Sequence, residues 1–148
     1  MIRHTPMKLL VLGATGPTGR HVVDLALAAG DTVTVLARRP EALEEVAGRV
    51  DVVAGDATSH DDVARAVSGQ DVVISALGRS TSVRADALFT RAAAAVLGAA
   101  GEQGVARLVW LSSFGVGDTY RSASAVQKIF YRTFLRNIST RTRSSPSG

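Results

Sequence analysis

Cysteine is absent from this 148-residue chain, which excludes a disulfide framework, a thiolate nucleophile and a Cys-based zinc site. Histidine is scarce as well: His4, His21 and His60 stand far apart with no second ligand at metal spacing, so no metal site is expected. No apolar run approaches the roughly 18 to 20 residues of a membrane span, and residues 1–6 lack the apolar core of a signal peptide. The expected compartment is therefore the cytoplasm. Acidic residues are missing from one region. Residues 119–148 hold 6 Lys and Arg and no acid, whereas residues 1–118 hold 11 basic against 13 acidic residues. The net charge of +4 thus belongs to the C-terminus. No specific nucleic-acid binding is expected of the main domain, although a basic tail can hold polyanions through counterion release; a solvated tail is the commoner state of such a run.

What is present is an ordinary globular composition, 46% hydrophobic and 20% charged, at a length that supports one domain with a real core. Its most informative stretch begins with the apolar run Leu9, Leu10, Val11, Leu12 and continues directly into Gly13, Ala14, Thr15, Gly16, Pro17, Thr18, Gly19. Three glycines spaced three apart, after a strand and before a helical pattern, bring bare backbone up to a pyrophosphate. The first permits the tight turn, the second admits the ligand, and the third lets helix and strand pack closely. The helix then offers its N-terminal N–H groups and positive dipole end to the phosphates.

Strand-like runs recur at 8–12, 32–36, 50–53, 71–76 and 107–111, with helical patterns at 18–29, 40–47, 60–67 and 84–102 between them. Gly30 ends the first helical pattern, Pro40 opens the second, and Ser59 is placed to cap the third. Strands alternating with helices predict an α/β fold, a Rossmann-like doubly wound parallel sheet in a single domain. Right-handed crossovers give the order 3-2-1-4-5, with the ligand crevice at the carboxyl ends where strands 1 and 4 diverge.

The end of strand 2 bears on cofactor choice. Sites for NAD set an Asp or Glu there for the ribose 2′-hydroxyl, but this chain has Ala37, Arg38, Arg39, Pro40. A guanidinium clamps a 2′-phosphate with paired, charge-assisted hydrogen bonds, which favours NADP(H). The alternative is a solvated loop that opens the next helix. After strand 3, Asp56 is placed to accept from an adenine amino group and Ala57 to form its apolar wall, or Asp56 is simply a turn residue. Strand 4 ends in Ser75, Ala76, Leu77, Gly78, small residues that let backbone lie under the ribose and nicotinamide half. Arg79 follows, placed to reach a phosphate or to remain at the surface.

In their order these motifs, ending with Leu111, Ser112, Ser113, Phe114, Gly115, Val116, resemble the atypical short-chain dehydrogenases. The resemblance is strongest to the NAD(P)H-binding branch of NmrA-like and flavin reductase (biliverdin reductase B)-like proteins, over residues 7–138. It implies that Thr15, Gly16, Pro17, Thr18 and Gly19 hold the pyrophosphate, with Gly13 in the same cofactor-binding turn, Arg38 the 2′-phosphate, Asp56 and Ala57 the adenine, and Leu77 and Gly78 the nicotinamide half. It also implies a catalytic hydroxyl at Ser112 or Ser113, near the nicotinamide, able to stabilise developing charge. The implied activity is NADPH-dependent reduction of a small-molecule acceptor, a flavin or a quinone. The alternative is a non-catalytic NADP(H)-sensing module of NmrA-like type.

Two departures qualify the resemblance. Short-chain dehydrogenases pair a Tyr with a Lys four residues on, but Tyr120 meets Ser124 and Tyr131 meets Leu135. Ordinary carbonyl reduction is therefore not expected, whereas hydride transfer to a flavin or quinone asks the protein mainly to bind, orient and exclude water. The second departure is the C-terminus. Residues 139–148 are Arg- and Ser-rich with no apolar residue to build a layer. The expected organisation is a disordered leader at 1–6, the nucleotide-binding domain at 7–138 and a disordered basic tail at 139–148. On this reading the chain is a truncated or frame-shifted family member, lacking the C-terminal strands of full-length relatives and prone to self-association through an exposed sheet edge. Ahead of the tail, Val126, Ile129, Phe130, Phe134 and Ile138 form an apolar stripe beside Lys128, Arg132 and Arg136. Core packing is its expected use, and a membrane-surface helix the alternative.

Overall fold

Among the described residues five short strands rich in Val, Leu and Ile align in parallel as one sheet, in the 3-2-1-4-5 order expected from the crossover rule. The computed structural model describes residues 4–77 and 84–111. The readings made above for Gly78, Arg79, Ser112, Ser113, the 126–138 stripe and the 139–148 tail lie outside those residues. The strands are β1 Lys8–Leu12, β2 Thr32–Ala37, β3 Asp51–Ala54, β4 Val72–Ser75 and β5 Arg107–Trp110. Helices α1 Pro17–Ala28, α2 His60–Val67 and α3 Arg84–Glu102 connect them.

β1 lies between β2 and β4, with Leu10 in register with both Thr34 and Val73. Its continuous apolar run follows from burial on both faces. Leu9 and Val11 enter one core with Val23 and Ala26 of α1, while Leu10 and Leu12 enter the other with Val63 and Val67 of α2 and Val96 of α3. The period of two along the strand is what separates the layers. Leu10, Val11 and Leu12 are fully buried.

One element differs from the expectation. The segment 40–47, read from sequence as a helix, makes only a 3₁₀ turn at Pro40–Leu43 and continues as turns. Its inward residues are Leu43 and Val46, 1% and 4% exposed. Two anchors three apart suit a short turn but supply no longer apolar stripe, and Gly48 at φ +86 ends the segment. By contrast Ser59 caps α2 as expected, its hydroxyl accepting from the Asp62 N–H at 3.3 Å.

The N-terminal segment also carries an unforeseen contact. His4, read as part of a disordered leader, places Nε2 2.7 Å from Oδ1 of Asp31, and the Met7 N–H donates to the same oxygen at 2.9 Å. Asp31 is buried at the entrance to β2. Burial alone would raise its pKa, but the Met7 N–H bond and the His4 hydrogen bond and charge outweigh it and hold the carboxyl below its ordinary range.

Candidate functional site

The phosphate cradle starts where β1 ends. Gly13 turns at φ +79, and a Cβ there would lie 2.6 Å from the Ala76 carbonyl oxygen at the end of β4. At Gly19 a Cβ would collide with the backbone of Gly13 and Ala14, so the helix sits directly on the turn. Gly16 behaves differently. It has an ordinary extended backbone, φ −83 and ψ 163, and a Cβ there would meet only Gly13 O at 3.5 Å. Packing among the described residues therefore explains the first and third glycines but not the second, which fits a position kept bare for a ligand. Pro17 occupies the first helical position of α1, no side chain caps the helix, and no carboxylate stands in its first turn. No acid of the helix's own first turn thus competes for its positive dipole end, which suits a phosphate site.

Beside the cradle is a cavity of about 300 Å³, at the small end of the usual range for ligand pockets. It opens where the first four strands end, against one face of α3. Of the residues singled out from sequence, Gly13, Thr15, Arg38, Asp56, Ala57 and Leu77 line it. Gly16, Pro17, Thr18 and Gly19 build the turn and the start of α1 and do not line this cavity. Gly78, Ser112 and Ser113 fall outside the described residues.

Arg38 and Arg39 both line the cavity, and neither forms an ion pair among the described residues. Asp56 takes up the turn role: its Oδ1 accepts from both the backbone N–H and the hydroxyl of Thr58, each at 2.8 Å. Its own N–H donates to Asp62 Oδ2 at 2.8 Å. The Thr58 N–H bond chiefly lowers the Asp56 pKa; partial burial opposes it, and the Thr58 hydroxyl and the charges of Arg38 and Arg91 lower it further. A fixed carboxylate therefore faces the cavity, and its Oδ2 takes part in neither Thr58 bond.

The wall supplied by α3 carries no signal of its own in the sequence. Leu88, Phe89 and Ala92 line the cavity, and the Phe89 ring meets Trp110 edge to face at 5.3 Å between centroids. The spacing i, i+1, i+4 marks one helix face, but it reads equally as core. Leu88 is 43% exposed, which only the fold reveals.

Among the described residues no group of three or more His, Cys, Asp or Glu is placed to hold a metal ion. No described helix is long and apolar enough to cross a membrane. A bare glycine turn, an uncapped helix start and a cavity at the carboxyl edge of a 3-2-1-4-5 parallel sheet define a dinucleotide-binding Rossmann domain. A family model described as NAD(P)H-binding matches residues 13–143, and the chain belongs to that family.

Individual relatives agree. The chain is 28% identical over 144 residues to an isoflavone reductase of Glycine max, covering 83% of this chain and 43% of that protein. It therefore spans less than half the length of that relative. A short-chain dehydrogenase/reductase superfamily protein of Agrobacterium tumefaciens, solved with bound NAD, matches with a TM-score of 0.61 at 28% identity, over 72% of this chain and 32% of that one. A Rossmann-fold NAD(P)-binding family protein of Shigella flexneri matches in fold with a TM-score of 0.68 at 24% identity, over 87% and 63%.

Proposed function

We propose that this chain is an NADP(H)-binding oxidoreductase module of the NmrA-like and flavin-reductase-like branch, working on a flavin or quinone acceptor. The observation that carries the cofactor choice is the pair Arg38 and Arg39 on the cavity wall, at the strand end where an NAD site would set a carboxylate. Arg38 is assigned to the 2′-phosphate through paired charge-assisted hydrogen bonds. The start of α1, with Gly16 left bare, is assigned to the pyrophosphate. Asp56, pinned by Thr58 through one oxygen, keeps the other for the adenine amino group, with Ala57 as apolar wall. Leu77 and Gly78 are assigned to the nicotinamide half, and Ser112 or Ser113 to a hydrogen bond that steadies charge on the acceptor.

When bound, a reduced nicotinamide supplies the hydride, and the acceptor's own conjugated system takes up the charge. The protein's part is to bind, orient and exclude water. The reductase name of the Glycine max relative supports a reductase class. NADPH oxidation measured with riboflavin, FMN and a quinone tests this reading: turnover with one of these acceptors is expected. Tight NADPH binding with no turnover would instead favour an NADP(H)-sensing module, the reading that the missing Tyr–Lys pairs at Tyr120 and Tyr131 support.

A further inference from the structure

Arg20 directly follows the last glycine of the cradle, yet it does not line the cavity. From the first turn of α1 it reaches over to the segment after β2, where Nη2 donates to the Ala42 carbonyl at 3.2 Å and Nη1 pairs with Glu45. Ala42 does line the cavity and belongs to the 3₁₀ turn into which Arg38 and Arg39 lead. A longer ion pair, Arg49 Nη2 to Asp24 Oδ1 at 3.6 Å, ties the turn just beyond that segment to α1. Buried Leu43 and Val46 hold the segment from beneath, in the core shared with Val23 and Ala26 of α1. The stretch that carries the two arginines thus leaves β2 at one end and is tied at Ala42 and Glu45 to the cradle's own helix at the other.

We infer that Arg20 is a specificity-positioning residue: it fixes the spacing between the pyrophosphate cradle and Arg38 and Arg39, and so sets the preference for a 2′-phosphorylated dinucleotide. The inference rests on the assignment of Arg38 proposed above. One ligand carries both phosphates at a limited separation, so both protein sites must be engaged at once. A loop free to shift has to be ordered when it grips the 2′-phosphate, which weakens binding. A cofactor without that phosphate makes no such demand. Arg20 suits the task because its planar fork holds a carbonyl and a carboxylate together, a geometry that an ammonium point charge does not reproduce.

Isothermal titration of the full chain with NADP+ and with NAD+ tests this in wild type, Arg20→Gln, Glu45→Gln, Arg38→Ala and the Arg20→Gln/Arg38→Ala double variant. Arg20→Gln is expected to raise the Kd for NADP+ by about threefold to fivefold and that for NAD+ by less than about twofold, the scale of an exposed ion pair. In the Arg38→Ala background the same change should add less than about twofold, because coupled residues are not additive. Glu45 is 79% exposed, so Glu45→Gln should fold and shift the ratio the same way by a smaller factor.

Equal weakening of both cofactors by Arg20→Gln, or no change, would overturn the inference. A gain in NADP+ affinity on Glu45→Gln would also overturn it, since a released Arg20 would then be contacting phosphate itself. If Arg38→Ala leaves the NADP+ to NAD+ ratio unchanged, the assignment of Arg38 fails. If Arg38→Ala is selective and Arg20→Gln is not, only the positioning role fails.

Discussion

The three glycines of the cradle have separable physical causes, and single substitutions should separate them. Gly19→Ala forces a Cβ into the backbone of Gly13 and Ala14, so it should destabilise the domain by about 2 kcal/mol or more, the range for overpacking a rigid contact. Gly16→Ala places its Cβ at ordinary contact distance on a backbone any residue adopts, and should keep stability within about 1 kcal/mol of wild type. Its cost should appear in dinucleotide affinity instead. Urea unfolding together with cofactor titration checks the pair; a Gly16→Ala variant that binds as wild type would deny its backbone the phosphate role. Asp31 makes a pH prediction. Its folded pKa lies below the ordinary 3.8, so its contribution to stability is present above that value and is lost as pH falls through the folded pKa. Asp31→Asn should therefore be less stable than wild type at pH 7, and the difference should shrink below about pH 4. Thermal melts across pH 3 to 7 would show it, and a difference independent of pH would count against the His4 and Met7 contacts.

At the scale of elements, legibility in the sequence followed how many local signals agreed. β1 and α1 were readable because an apolar run, three glycines and Pro17 all point to a strand, a turn and a helix. The start of α2 is readable because Ser59 stands one residue before the helix begins. Capping there predicts that Ser59→Ala lowers stability by about 1 kcal/mol in chemical denaturation. The 40–47 segment departs from a helix because, although propensity and Pro40 favour one locally, burial of Leu43 and Val46 is satisfied by a 3₁₀ turn and the turns that follow it. The α3 wall of the cavity was hidden for another reason. Leu88, Phe89 and Ala92 look like core residues, and only the placement of β4 and α3 in space turns them toward Leu77 and Ala57. Of the candidate site, the half built from the ends of β1 to β4 was therefore legible, because loops at one sheet edge converge by topology alone. Asp56 was legible as a choice between turn and ligand; its Thr58 bonds realise the turn and leave an oxygen over.

For the molecule as a whole, the doubly wound sheet explains why residues distant in sequence share one cavity. Gly13, Arg38, Asp56 and Leu77 follow four different strands, and the order 3-2-1-4-5 brings their loops to the same edge. Family membership across residues 13–143 and this edge together make dinucleotide binding the basis of every functional reading of the chain. On the proposed function Arg38 holds a 2′-phosphate at that edge, and paired titration of wild type and Arg38→Ala with NADP+ and NAD+ tests that role directly. Wild type is expected to prefer NADP+, and Arg38→Ala to weaken NADP+ by about tenfold to a hundredfold, the value of a charge-assisted pair, while NAD+ affinity stays within about twofold. Equal weakening of both cofactors, or a wild type that prefers NAD+, would contradict it.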